Sequence, residues 1–245
     1  MINVIVNGAH GRMGSEATLA IDNDKNLNLV AALDKNDNLT QTIKKYDQPV
    51  VLDFTNVESV FDNTKTIISN GAYPVIGATG LLSHQINELK NLAKQHGIGG
   101  LIVPNFSLGA VLMMKFSEIA AKFYQQAEII ERHHPNKLDA PSGTAIRTAD
   151  LISQHLHNEC IHNNKSKEII KHALGANHHN IPIHSVRLSG SCAHQSVIFG
   201  GHEETLTITH DSIHRKSFMP GVILACKKVH GLNSLEVGLE TIMDL

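Results

Sequence analysis

Apolar residues fall in two alternating rhythms along the first hundred positions. Short β-branched runs at 2–6, 27–33, 50–54, 74–76 and 101–103 have the length and composition of buried strands. Between them, segments 13–21, 57–70 and 83–96 place apolar residues at helical spacing, as a helix with one buried face does. Strands separated by helices of this length form βαβ units. The first part of the chain is therefore expected to build a parallel sheet with right-handed crossovers.

After Leu108 the rhythm changes. A helical pattern from Leu108 to about Tyr124 leads into an apolar strand at 127–131, and a second helix is predicted from Thr144 to about His155. Residues 158–167 are polar, rich in lysine and asparagine, and have the composition of an exposed loop. Segments 183–188, 195–199 and 205–210 alternate as three strands with glycine-bearing turns, the pattern of a meandering sheet, and 217–229 returns to helical spacing. Parallel α/β first and a meander afterwards predict two domains.

Composition narrows the class further. The 245 residues suffice for two modest cores. A formal net charge of −2 gives no global basic field for nucleic acid or a membrane surface. Cys160, Cys192 and Cys226 are dispersed and form no C-x-x-C pair, which argues for a reducing compartment and against a disulfide framework or structural zinc. No stretch approaches the ~20 apolar residues of a membrane span, and the opening apolar run is too short for a signal peptide. A cytoplasmic protein with no nucleic-acid or membrane partner is expected.

The first strand runs into Gly8-Ala9-His10-Gly11-Arg12-Met13-Gly14 and then a helix. A glycine turn there lets main chain approach a pyrophosphate at a helix N-terminus. The spacing is G-x-x-G-x-x-G, a variant of the commoner dinucleotide fingerprint and weak by itself. Asp34 ends the second predicted strand about 20 residues beyond the last glycine, where an acid can accept from ribose hydroxyls. That favours NADH, while Lys35 and Arg12 could neutralise a 2′-phosphate, so NADH and NADPH both stay open. Two further turns, Gly77-Ala78-Thr79-Gly80 and Pro104-Asn105-Phe106-Ser107, follow strands and fall on the same sheet edge.

Residues 128–145, EIIERHHPNKLDAPSGTA, hold the most specific chemistry. His133 and His134 follow the apolar strand, and Lys137 comes four residues after His133. Histidine manages protons near neutrality, and lysine donates one or anchors a carboxylate. Asp139 is a candidate helix-capping acid. Ser142-Gly143-Thr144 opens a helix and could cradle a carboxylate. Two cationic groups beside such a helix end imply an anionic substrate, of which a dicarboxylate is the expected kind.

This string resembles the signature of the dihydrodipicolinate reductase family. The resemblance extends to the GAHGRMG opening, Asp53-Phe54-Thr55, the GATG turn, Pro104-Asn105-Phe106, Val186-Arg187-Leu188, Ala193-His194-Gln195 and the segments 210–212 and 217–222. It implies a Rossmann-type parallel-sheet dinucleotide-binding domain (1–106 with 216–245). A second, α+β domain with a mixed open sheet (107–215) would bind substrate and form the core of a homotetramer. The implied activity is NADH- or NADPH-dependent reduction of a cyclic dicarboxylate in the diaminopimelate route to lysine. On this resemblance His133 is the acid/base residue and Lys137 the proton donor, with His134, Gly143 and Thr144 binding substrate. Gly8, Ala9, His10, Gly11, Arg12, Met13, Asp34, Gly77, Ala78, Thr79, Val103, Pro104, Asn105 and Phe106 would contact the cofactor. The family's turn usually reads G-T-T-G, and Ala78 stands where its first threonine would be.

The residues leave two other readings open. One is a different NAD(P)-dependent two-domain dehydrogenase. The other is a histidine-rich metal-binding protein, suggested by His178-His179, His184 and His194. No H-x-x-x-H or C-x-x-C pair lies on an evident helix or knuckle, so no metal is expected.

Overall fold

The computed structural model describes residues 1–156 and 167–245. In chain order its main elements are β1 (Ile2–Asn7), α1 (Arg12–Asp22), β2 (Leu27–Leu33), α2 (Leu39–Ile43), β3 (Val50–Asp53), α3 (Val60–Ser69), β4 (Tyr73–Ile76), α4 (Ser83–His96) and β5 (Gly100–Ile102). There follow α5 (Leu108–Ala120), β6 (Gln126–His133), α6 (Gly143–Ser153), β7 (Ala176–His178), β8 (Ile181–Arg187), β9 (Ala193–Gly200) and β10 (Thr205–Ser212). The chain ends with α7 (Met219–Lys228) and β11 (Leu235–Val237). It divides into two compact units, Met1–Leu108 with Arg215–Leu245, and Gly109–His214.

The first unit is a six-stranded parallel sheet in the order β11-β5-β4-β3-β1-β2. Its central strands read as unbroken apolar runs because helices cover both faces: Val4, Ile5, Val6, Val50, Val51, Leu52, Val75, Ile76 and Leu101 are fully buried. The order reverses between β1 and β3. That switch point, at the carboxyl edge of the strands, is where open parallel sheets bind their ligands.

The second unit is a five-stranded mixed sheet, β10-β9-β6-β8-β7. Its sequence had suggested a meander, and the structure corrects this. Strand β6 lies between β8 and β9, parallel to the first and antiparallel to the second. Alternation sets which face of the sheet each β6 residue takes. Ala127, Ile129 and Glu131 face inward, and the first two join Ala145, Ala149 and Ile152 of α6 and Val197 and Phe199 of β9 in one core. Glu128, Ile130 and Arg132 face the other way and are exposed. Elements β7, β11 and α2 escaped the sequence reading because three to five residues are too few to display a period. Of the lysine- and asparagine-rich stretch, 158–166 lies outside the described residues, as does Cys160. No helix among the described residues is long and apolar enough to cross a membrane.

Candidate active site

In the first unit the turn after β1 is shaped by missing side chains. Gly8 has φ +80°, and a Cβ on it would lie 2.8 Å from the Phe54 carbonyl oxygen. A Cβ on Gly14 would lie 2.1 Å from the Gly8 carbonyl oxygen, so only glycine lets α1 pack this close to the turn. The Gly8 and Ala9 N–H groups both donate to Leu33 O at 2.9 Å, which ties the turn to the end of β2 beside Asp34. Gly11 caps α1 without a side-chain hydrogen bond, and the first turn holds no acid. That leaves the helix N-terminus suited to an anion.

Asp34 accepts from its neighbour Lys35 N–H at 2.7 Å, and His10 Nδ1 lies 3.0 Å from its Oδ2. His10, Gly11 and Arg12 are exposed, Met13 is half-buried and Ala9 is buried. Around the β4 loop, Gly77 and Ala78 N–H donate to Asp53 O at 2.8 and 3.1 Å. Gly77 sits against Phe54 and Phe106, whose rings meet edge to face at 5.5 Å. The Ala78 methyl packs on the sheet core, a use for the side chain that departs from the family's threonine, while Thr79 is exposed. Val103 donates to Ile76 O at 2.8 Å, and Asn105 Oδ1 accepts from Ser107 N–H. Pro104 is exposed and Phe106 buried.

Asp53 organises this edge, and the sequence had given it no role. It is fully buried and accepts from Asn7 Nδ2 at 2.8 Å, Asn63 Nδ2 at 3.0 Å and Thr55 N–H at 2.9 Å. A carboxylate at the buried end of a strand needs such donors. That need was the available signal.

In the second unit the site is built from side chains, and Glu131 is its hub. Strand alternation turns Glu131 inward, where it is fully buried. Its Oε2 lies 2.6 Å from His133 Nδ1, and Arg187 holds both oxygens at 2.9 Å in a bidentate fork. Its Oε1 also accepts from Ser142 N–H at 3.2 Å. Burial alone would push this carboxyl up. Hydrogen bonds from His133, Arg187 and Ser185 overcome that and bring it down to about 2, so Glu131 is a buried anion.

Arg187 carries the network onward by donating from Nη2 to Asp139 O at 2.6 Å. The Asp139 carboxylate receives Lys137 Nζ at 2.8 and 2.9 Å, and this pairing holds Asp139 below the ordinary aspartate range. The path His133–Glu131–Arg187–Asp139–Lys137 therefore joins the two proton-handling candidates. Lys137 N–H closes a turn onto His134 O at 3.2 Å, and the His134 ring is half-buried. The structure corrects one assignment here. Ser142, not Asp139, caps α6, its Oγ accepting from Ala145 N–H at 3.2 Å, because Asp139 is engaged by Lys137. Gly143 is exposed, with open space where a Cβ would stand, and the first turn of α6 has no acid. Thr144 follows it, half-buried.

Arg187 and Glu131 were the residues missed. Both lie on inward positions of alternating strands, 56 residues apart in sequence, and β6 and β8 pair in register beside them. A charged residue in an otherwise apolar inward row was the clue. Nothing local named its partner.

Comparison with known proteins identifies the family. Residues 2–106 match the family model "Dihydrodipicolinate reductase, N-terminus", and residues 109–243 match "Dihydrodipicolinate reductase, C-terminus". A 4-hydroxy-tetrahydrodipicolinate reductase from Legionella pneumophila (strain Paris) is 48% identical over 242 residues, 98% of each chain. One from Coxiella burnetii (strain Dugway 5J108-111) is 46% identical over 243 residues, 99% of each. Among solved structures, the dipicolinate-bound dihydrodipicolinate reductase from Paenisporosarcina sp. TG-14 aligns with TM-score 0.91 and 40% identity, covering 99% of this chain and 100% of that one. A probable dehydrogenase from Thermotoga maritima shares the fold alone, at TM-score 0.66 and 11% identity. Two family models that together span nearly the whole chain, with relatives near half identity, place this chain in the dihydrodipicolinate reductase family.

Proposed function

We propose that the chain reduces a cyclic, unsaturated dicarboxylate of the dihydrodipicolinate type with NADH or NADPH, and that His133 and Lys137 handle the proton. The observation that carries this reading is the buried Glu131 carboxylate, which fixes His133 directly and Lys137 through Arg187 and Asp139. In the diaminopimelate route to lysine this is the step that yields tetrahydrodipicolinate. The dipicolinate held by the Paenisporosarcina enzyme is a ring with two carboxylates, the substrate class inferred from the residues themselves.

The first unit fits a dinucleotide. Side chains on Gly8 and Gly14 would fill the turn, and the α1 N-terminus lies open to a pyrophosphate. Gly8 to Met13 would hold the phosphates, Asp34 the adenosine ribose, and the loops at 77–79 and 103–106 the remainder. A bound nicotinamide supplies the hydride.

The chain's own chemistry lies in the second unit. With Nδ1 donating to Glu131, the His133 imidazole is held in one orientation and keeps Nε2 for proton exchange. Lys137 can donate to the reduced ring, and its charge stabilises negative charge that develops there. His134 and the α6 N-terminus at Gly143 and Thr144 would anchor the carboxylates.

The outward sheet face supports assembly through the second unit. Ile130 is 39% and Val186 38% exposed on neighbouring strands, two apolar side chains on the outward face left open to a second copy. A cytoplasmic homotetramer is the proposed form, checked by sedimentation. Following NADH and then NADPH oxidation with the cyclic substrate tests the activity, and failure with both would overturn it.

A further inference from the structure

One cluster in the second unit has no part in this chemistry. Asp150 lies two turns into α6, and His178 and His179 stand at the β7–β8 hairpin. His178 Nε2 lies 2.8 Å from Asp150 Oδ1, and His179 Nε2 lies 3.6 Å from the same oxygen. One ligand atom from each residue falls within 4.8 Å of the other two. Bonds of about 2.0–2.2 Å to a tetrahedral ion place donor atoms about 3.2–3.6 Å apart, so small side-chain rotations would bring all three onto one metal. A plain hydrogen bond explains His178 on Asp150. It does not explain a second imidazole on the same oxygen, with the two rings 4.3 Å apart.

The backbone holds this arrangement from both sides. Asp150 is fixed by α6, whose Thr148, Ala149 and Ile152 are fully buried. His178 pairs across the hairpin with Ile181, which leaves His179 and Asn180 as a two-residue turn. Both have positive φ, +51° and +65°, the signature of a type I′ turn. Asn, Asp and Gly take these positions most easily, and histidine is an uncommon choice for the first of them.

The geometry points to a divalent transition-metal site made by Asp150, His178 and His179. Two imidazoles and one carboxylate suit Zn²⁺, Co²⁺ or Ni²⁺ over Mg²⁺ or Ca²⁺, and three protein ligands leave a fourth position for water. The ion would clasp α6 to the hairpin of β7, a three-residue strand at the edge of its sheet. The sequence reading expected no metal because it looked for ligands spaced along one element. This set comes from a helix and a hairpin 28 residues apart.

The test needs no reductase assay, so it stands or falls separately from the proposed activity. Untagged, chelator-treated full-length protein is titrated with Zn²⁺ by calorimetry and with Co²⁺ by visible absorption. One saturable equivalent per chain is expected, with the strong absorption of four-coordinate Co²⁺. Zinc at about 100 times its dissociation constant should raise Tm by about 5 °C or more. Asp150→Asn removes the carboxylate. His179→Asn removes an imidazole while keeping a residue that suits the turn. Each variant should weaken binding by about 10-fold or more, the least expected when even a ligand's supporting partner is lost. No saturable equivalent in the parent would overturn the site. So would unchanged affinity in either variant, because the chain's 17 histidines could then account for the uptake.

Discussion

Gly8 and Gly14 shape the ligand-binding edge of the first unit by what they lack, whereas Glu131 and Arg187 shape that of the second by what they carry. A main-chain cradle offers N–H groups at fixed positions and tolerates most changes of side chain, but it cannot admit an added methyl. A side-chain network offers tuned charge and proton-handling atoms, but each member depends on its neighbours staying charged. The first arrangement suits a cofactor that needs only to be held. The second suits a substrate that must be protonated.

Removing the hub should produce the largest effect. Glu131→Gln leaves Arg187 without its anion, and breaking a buried pair from one side costs about 3–5 kcal/mol. The lower figure is expected, because the Arg187 side chain keeps 20% of its exposure. Urea unfolding would measure it, and a loss below about 1 kcal/mol would make the network ornamental. Acid gives the companion test. The Glu131 pKa falls from 4.5 to about 2 on folding, so its stabilisation is present in full above pH 4.5 and lost as pH drops through about 2. That limb is worth about 3 kcal/mol by linkage and should vanish from the Glu131→Gln variant.

Next in size come the groups that the hub positions. His133→Ala and Lys137→Ala should each lower turnover by about 10²-fold or more, the scale of a lost acid or base. Nucleotide dissociation constants should stay as they were. Near-normal turnover in both variants would remove the roles assigned to them. The reverse pattern is expected for Gly14→Ala, whose new methyl would stand 2.1 Å from Gly8 O. Overpacking of this kind costs about 1–3 kcal/mol. Nucleotide affinity should fall while dipicolinate binding to the second unit holds. Loss of both ligands together would mean that the two edges are not independently built.

The same contrast governs what could be read from the sequence. The parallel sheet was legible because buried strands and amphipathic helices alternate over long segments, and the glycine turn because its spacing is local. His133, Lys137 and Gly143 could be put forward as candidates because they share one short segment. Glu131 as a hub was not, since its partner Arg187 lies 56 residues away and only strand register brings them together. The place of β6 inside its sheet was hidden for the same reason. Period-two alternation says which face a residue takes, but not which strand becomes its neighbour.

The smallest effect tests where the two kinds of construction meet within the first unit. Asp34 is the one acidic side chain assigned to a cradle otherwise made largely of main chain, and it stands 39% exposed with His10 at 3.0 Å. A carboxylate there accepts from two ribose hydroxyls and repels a 2′-phosphate. Asp34→Ser would remove the repulsion and leave Arg12, His10 and Lys35 to meet the phosphate. The ratio of kcat/KM for NADPH over NADH should rise several-fold, by no more than about 10-fold because an exposed charge is screened by water and salt. The shift should also shrink as salt is raised, which separates a charge effect from a change of shape. A ratio that does not move would take Asp34 out of the ribose site and leave cofactor choice to the main chain and its neighbouring cations.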